Sequence, residues 1–387
     1  MEWTKRFKGF FNSEKNGGLL LLFCTAISLF IANSQWGEGY IHFWHSGLEL
    51  SFASLNLNFS VEQWINDGLM SVFFLLVGLE VRHEFHAGEL SSFKAAMLPA
   101  VAAVGGMVVP AGIYLLFNAG APSQAGFGIP MATDIAFSLG MLALTGSRVP
   151  YSLKVFLTAL AIIDDIGAII VIALFYNTGL HWNFLAAAAG IVSLLFLLNK
   201  LHFQWLFFYL LTGVALWYCA LRSGIHPTIA GVLLAFVIPY HSSTANASSY
   251  QLQKALHIPV AYFILPLFAL ANTGIPLQEG WSQQLFAPTG LGIVTGLVIG
   301  KPLGILFFCW VLIKSSNVLL PQGAQWKTMF GAAALAGIGF TMSIFISNLA
   351  FGKSPETDYA KVAVLVASLF AAIIGLTVFF FIKKRKE

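Results

Sequence analysis

Apolar residues run along this chain in long blocks separated by short polar stretches. A bilayer crossing needs about 20 mostly apolar residues, and twelve blocks meet or approach that length. They lie at 17–33, 61–85, 93–118, 128–146, 152–176, 182–201, 203–224, 226–240, 254–277, 289–314, 325–351 and 362–382. Each predicts a transmembrane helix, the eighth being short and started by Pro227. The longer polar and aromatic connection at 34–60 reads differently. Alternation in Leu48-Glu49-Leu50-Ser51-Phe52 and Leu55-Asn56-Leu57-Asn58-Phe59 predicts a small β-hairpin outside the membrane. The expected class is an all-α polytopic membrane protein of twelve transmembrane helices carrying that hairpin.

Composition narrows the reading. Of 387 residues, 58% are hydrophobic and 9% charged, with a mean hydropathy of +0.81. Soluble domains carry about 25% charged residues, so this chain lacks the polar surface to cover itself in water. Nucleic-acid-binding modules, disordered tails and disulfide-built secreted scaffolds are excluded, and lipid is the expected surrounding. Cys24, Cys219 and Cys309 lie in apolar stretches without CxxC spacing, as small core residues do. The polar start, Met1 to Asn16, holds Lys5, Arg6, Lys8 and Lys15, and the apolar run after it has no Ala-x-Ala site. A retained helix is expected there rather than a cleaved signal. Twelve spans put both termini on one side, which receives 16 of the 20 Lys and Arg. Only Arg222, Lys353 and Lys361 fall on the other side, and Lys301 falls within a span. This asymmetry predicts cytoplasmic termini.

The charges inside the apolar blocks are the main functional signal. Asp164 and Asp165 occupy the midpoint of the fifth block, in Ala161-Ile162-Ile163-Asp164-Asp165-Ile166-Gly167. Lys301 occupies the midpoint of the tenth, in Gly300-Lys301-Pro302-Leu303-Gly304, and the fourth contributes Thr133 and Asp134. An ionisable side chain at that depth costs at least about 2.5–3.5 kcal/mol. A structural ion pair would need only Lys301 and one aspartate, which leaves the other carboxylates to function. Backbone punctuation falls at the same depth. Gly126-Phe127-Gly128-Ile129-Pro130 precedes Thr133-Asp134 in the fourth block, and Gly337-Ile338-Gly339 interrupts the eleventh. Two interrupted spans crossing in opposite directions predict an inverted repeat, with spans 3–5 and 10–12 as the two copies.

Several motifs together resemble one family. Ala132-Thr133-Asp134-Ile135-Ala136-Phe137, Ala161-Ile162-Ile163-Asp164-Asp165, Trp64-Ile65-Asn66-Asp67, Phe73-Phe74-Leu75-Leu76-Val77-Gly78-Leu79-Glu80 and Gly337-Ile338-Gly339-Phe340-Thr341-Met342-Ser343 closely resemble the NhaA-type sodium/proton antiporters of bacteria. The likeness runs from Gly17 to the last span, and the inverted-repeat architecture is known for that family. The resemblance implies a single integral-membrane transporter over 1–387 in the bacterial inner membrane, not an enzyme and without a cofactor. It would expel Na+ or Li+ in exchange for protons, electrogenically and with activation at alkaline pH, and so contribute to sodium and pH homeostasis. The translocating core would lie within 61–176 and 289–382, with spans 4 and 11 broken and crossing. Residues 182–277 would form mainly panel helices, and the periplasmic hairpin at 34–60 would join two copies as a homodimer. Asp164 and Asp165 would carry Na+, supported by Thr133, Asp134 and Lys301. A pH-sensing cytoplasmic region would include Glu80, Arg82 and Glu84 and the start of span nine. There the chain departs from the pattern, with Gln253 at an expected acid and Lys254 at an expected histidine.

The residue chemistry agrees with a hard cation. Na+ prefers oxygen ligands, which carboxylates, hydroxyls and freed backbone carbonyls supply. A carboxylate at this depth can hold a proton or a metal ion, so the two compete for the same oxygens. Asp165 is the expected principal ligand and proton carrier. Asp164 would act second, either by binding a proton or by alternately pairing with Lys301. Thr133 or Thr341 could add a hydroxyl, and Asp134 and Lys301 suit the opposite partial charges of interrupted helix ends. Farther off, His226 at the start of span eight can titrate near neutrality, and Asp67 stands where it could line an outward path. Other chemistries fit poorly. Aspartyl proteolysis needs carboxylates that share a proton, whereas neighbours on a helix point about 100° apart. Ser223 and His226 lack a Gly-x-Ser-x-Gly context, and His83-Glu84-Phe85-His86 is not HExxH. Symport of an organic anion would need more cationic groups near the site.

Overall fold

A computed structural model of the chain describes residues 14–52, 55–177, 179–240, 248–277, 280–316 and 318–382. The basic ends at 1–13 and 383–387, whose charges weigh most in the expected placement of the termini, lie outside the described residues. The fold is mainly helical, running α1 (Glu14–Ala32), α2 (Gly37–His45), β1 (Gly47–Phe52), β2 (Leu55–Ser60), α3 (Val61–His86), α4 (Phe93–Asn118), α5 (Ile135–Leu144), α6 (Tyr151–Phe175) and α7 (Trp182–Lys200). It continues with α8 (Leu206–Ser223), α9 (Thr228–Val237), α10 (Ser248–Asn272), α11 (Pro288–Ser315), α12 (Trp326–Ala336), α13 (Phe340–Phe351) and α14 (Pro355–Phe380).

Among the described residues, 8 helices are long and apolar enough to cross a membrane, and three bent pairs raise the number to 11. The twelfth predicted block, 226–240, contains α9, whose ten residues are too few to cross alone. The hairpin forms as the period-2 pattern predicts, antiparallel, with Leu48 opposite Phe59 and Phe52 opposite Leu55. Between α1 and the hairpin the chain makes an extra helix, α2, bent 114° from α1. Tyr40 anchors it, donating its hydroxyl towards Ser28 Oγ (3.0 Å) and Leu270 O (2.9 Å).

The chain divides into two compact units. The first comprises Met1–Phe23, Glu89–Ala168 and Leu277–Glu387. Its α4 and α11 touch backbone to backbone: a Cβ added to Gly105 would stand 2.4 Å from Gly304 O, and one added to Gly304 would stand 2.1 Å from Gly105 O. Glycine is required at both positions for that approach. Two spans here are broken. A 3-10 stretch, Pro122–Met131, passes through extended Ala132–Asp134 into α5, with a 43° bend. The sequence reading placed this span at 128–146, but the chain enters it earlier. Pro130 lacks an N–H and the glycines weaken regular winding, so the first half stays 3-10. Residues Gly337–Gly339 separate α12 from α13, again with a 43° bend.

The second unit comprises Cys24–Gly88 and Ile169–Pro276. Ser60 and Gln63 form a reciprocal capping box at the start of α3. One π-helical turn, Trp64–Leu69, widens α3 next. Gly78 and Gly231 let α3 and α9 pack closely, since a Cβ on Gly231 would meet Ser71 O at 2.2 Å. Leu75, Leu79, Tyr209, Leu234, Ala235 and Ile238 form the core beneath. Outward-facing Phe184, Leu194, Phe196 and Leu211 leave α7 and α8 with broad apolar exposure, suited to lipid.

Candidate functional site

All five mid-span residues singled out above come together in the first unit. Asp164 and Asp165 sit on α6 at 1% and 2% exposure, and Lys301 follows a π-helical turn, Gly296–Gly300, on α11 at 0%. Thr133 and Asp134 occupy the extended break before α5. Burial this complete obliges every charge to find a partner. Lys301 Nζ lies 2.6 Å from Asp164 Oδ2, with both side chains fully enclosed. The same ammonium donates to Met131 O. That carbonyl ends the 3-10 stretch, so a positive charge stands at the negative end of a helical segment.

Asp134 plays the opposite part. Its Oδ1 accepts from Phe137 N at 2.9 Å, capping α5, and its Oδ2 accepts from Thr341 N at 3.1 Å at the start of α13. The Thr341 hydroxyl donates to the same oxygen. One carboxylate thus satisfies orphan N–H groups of two helices whose N-termini meet.

The Thr133 hydroxyl oxygen stands 2.7 Å from Asp164 Oδ2 and 2.8 Å from Ala336 O. It has one hydrogen to give, which serves a single acceptor at a time. Asp164 Oδ1 is buried and takes no hydrogen bond among the described residues. The cluster therefore holds carboxylate, hydroxyl and carbonyl oxygens within one enclosed space, a donor set that fits a small hard cation as substrate. No cluster of three or more His, Cys, Asp or Glu occurs among the described residues, as expected of a site that passes an ion on rather than retaining one.

The remaining predicted residues belong to the second unit. Glu80, Arg82 and Glu84 occupy the last turns of α3, with Glu80 and Glu84 one turn apart. Arg82 Nη1 donates to Ala235 O (2.9 Å) and to Ile238 O, the last carbonyls of α9, and lies over the Tyr240 ring. Lys254 is exposed on α10. Asp67 lies in the π-helical turn, its carbonyl accepting from Ser71 Oγ (2.5 Å) and Trp217 Nε1 (2.8 Å). His226 precedes α9, its buried Nδ1 without a hydrogen-bond partner among the described residues.

Sequence reasoning did not single out Ser138 and Ser343. Ser138 Oγ donates to Leu335 O (2.9 Å) and Ser343 Oγ to Ile129 O (2.7 Å). Their only sequence signal is a hydroxyl within a few residues of each interruption.

A multi-pass membrane protein with two broken helices meeting beside buried, oppositely charged residues falls in the class of secondary transporters built on discontinuous helices. Within that class, the chain belongs to the family described as Na+/H+ antiporter 1, whose sequence model matches residues 8–379. It is 53% identical over 376 residues to a protein of Flavobacterium johnsoniae named Na(+)/H(+) antiporter NhaA 1, covering 97% of this chain and 96% of that one. It is 50% identical to Na(+)/H(+) antiporter NhaA of Cytophaga hutchinsonii (97% and 95% covered). Identity to the NhaA of Citrobacter koseri is 46% (96% and 97% covered). Among solved structures, the sodium proton antiporter MjNhaP1 of Methanocaldococcus jannaschii at pH 8 shares the fold, with a TM-score of 0.55 at 12% identity over 95% of this chain and 92% of that one.

Proposed function

We propose that this chain is an electrogenic antiporter that expels Na+ or Li+ from the bacterial cytoplasm in exchange for protons, by alternating access at Asp164 and Asp165. The observation that carries the reading is the fully enclosed Asp164–Lys301 pair beside Asp165, at the crossing of two interrupted spans. Cation arrival at the carboxylates displaces a proton, and Asp164 exchanges its partner between Lys301, Thr133 and the cation. More proton charge than sodium charge moves per cycle. Each net charge crossing 100 mV is worth about 2.3 kcal/mol, enough to drive Na+ uphill.

The same reading extends outward from the site. The twelve-span inverted repeat, with both termini in the cytoplasm of an inner-membrane protein, accounts for the 16-to-3 distribution of Lys and Arg. Glu80, Glu84 and Lys254 would set activation at alkaline pH, with Arg82 holding their framework. Asp67 and His226 would flank the outward path. Two copies would pair through the 34–60 hairpin within a lipid surround.

Purified protein in liposomes, with an internal pH dye and an acid-inside gradient, tests the function. Added NaCl or LiCl, but not KCl, should dissipate the gradient, increasingly at alkaline pH, and Asp165→Asn should abolish the response. No cation response at any pH, or normal exchange by Asp165→Asn, overturns the reading.

A further inference from the structure

The two broken spans are joined by more than their charged residues. Span 4, meaning the Pro122–Met131 stretch with α5, gives two side-chain donors to the carbonyls ending α12: Thr133 to Ala336 O and Ser138 to Leu335 O. Its backbone adds a third bond, Asp134 N to Ile338 O at 2.7 Å. Span 11, meaning α12 with α13, answers with Thr341 to Asp134 and Ser343 to Ile129 O. The exchange is reciprocal. Each span offers carbonyls before its break and hydroxyl donors after it, and each donor reaches the other span. Ser138 and Ser343 are both fully buried.

We infer that Ser138 and Ser343 are positioning residues for cation binding, a matched pair of hydroxyl ties that hold the two broken spans as one body and thereby fix Thr133 and Asp134 beside Asp164. Neither serine has a recorded bond to Asp164 or Asp165, so each acts through the carbonyl that it occupies. Ser138 lies one helical turn beyond Asp134, and Ser343 lies two residues beyond Thr341. Loss of either tie leaves one span end free to shift against the other within the layer that holds the ion.

Ser347 supplies an internal comparison. It is buried like Ser343 and on the same helix, but its hydroxyl bonds within α13, to Ser343 O at 2.8 Å. It removes no freedom between the two spans.

The inference rests on the antiport reading, and the test separates the two. Wild type, Ser138→Ala, Ser343→Ala and Ser347→Ala are reconstituted in liposomes, and exchange is measured against Na+ and Li+ concentration. Interhelical hydrogen bonds in membranes are worth about 0.6–1.7 kcal/mol. Removal of either crossing tie should therefore raise the apparent KM for both cations about three- to tenfold. Vmax should stay within about twofold, because the barrier to alternation belongs to the pair of spans moving together. Ser347→Ala should keep the wild-type KM. If either alanine variant yields no folded protein, the Cys variant, which keeps the volume and a weak donor, replaces it and should lie between wild type and the Ala expectation. Wild-type exchange with unchanged KM in folded Ser138 and Ser343 variants overturns the inference, as does an equal KM rise in Ser347→Ala. No exchange by wild type overturns the antiport reading instead.

Discussion

The carboxylate of Asp134 accepts both the backbone N–H and the hydroxyl of Thr341, although 207 residues separate the two along the chain. Its other oxygen caps α5 through Phe137 N. One side chain therefore closes two helix N-termini in a layer with no water to do so.

Replacement of Asp134 should cost both caps together. Caps are worth about 1 kcal/mol each, so Asp134→Ala should lose roughly 2 kcal/mol and lower the Tm clearly. Asp134→Asn keeps one acceptor oxygen and should fall about halfway. Thermal unfolding in detergent measures both. Equal Tm values for wild type and the Ala variant would refute the double cap.

Lys301 and Asp164 should behave as a unit. Removal of one partner from a buried pair strands the other charge, at about 3–5 kcal/mol. Lys301→Met and Asp164→Asn should each destabilise strongly, and the double variant should regain most of the loss while transport stays absent. A double variant no more stable than the worse single would mean that the pair is not the main contact of either group.

Some of this was legible in the sequence for plain physical reasons. Asp164, Asp165 and Lys301 stand out because nothing else in their blocks is charged, and apolar surroundings do not tolerate a charge without a purpose. The hairpin register follows from the alternation of Leu48 to Phe59, since one residue of slip would turn every side chain over. The interruption of spans 4 and 11 was marked by Pro130, Gly337 and Gly339.

The rest depends on contacts between distant segments. Ser138 and Ser343 look like any serine in an apolar run until a foreign carbonyl arrives beside each. The π-helical turns at Trp64–Leu69, Val260–Ile264 and Gly296–Gly300 leave the apolar pattern intact, because one extra residue per turn does not change composition. Helix α2 is too short and polar to announce itself, and it depends on Tyr40 reaching Ser28 and Leu270.

The contact between α4 and α11 makes a graded test of packing around Lys301. Gly105→Ala and Gly304→Ala each place a Cβ within 2.4 Å of a backbone oxygen that cannot move aside. Overpacking of this kind costs about 1–3 kcal/mol, and the displaced α11 carries Lys301 with it, so transport should fall as well. Gly112, on the same α4, has nothing within 4 Å of an added Cβ. Gly112→Ala should be neutral or gain up to about 1 kcal/mol from helix propensity. Similar Tm changes for all three variants would show that the close approach is not what requires glycine.

Arg82 separates framework from pH response. Its guanidinium takes the Ala235 and Ile238 carbonyls at the end of α9, a favourable place for a cation at a helix C-terminus. A guanidinium stays charged throughout the working pH range, so this contribution does not change with pH. Arg82→Met should lower stability by roughly 1–2 kcal/mol at pH 6, 7 and 8.5 alike. The midpoint of the transport-against-pH profile should stay in place while maximal activity drops with the folded fraction. Arg82→Lys should recover part of the stability, since an ammonium can serve only as a point charge where the guanidinium reaches two carbonyls. Tm measured at the three pH values and proteoliposome exchange across pH 6–9 give both readings. A displaced midpoint in folded Arg82→Met protein would mean that the residue takes part in the pH response itself, through the field that it imposes on Glu80 and Glu84.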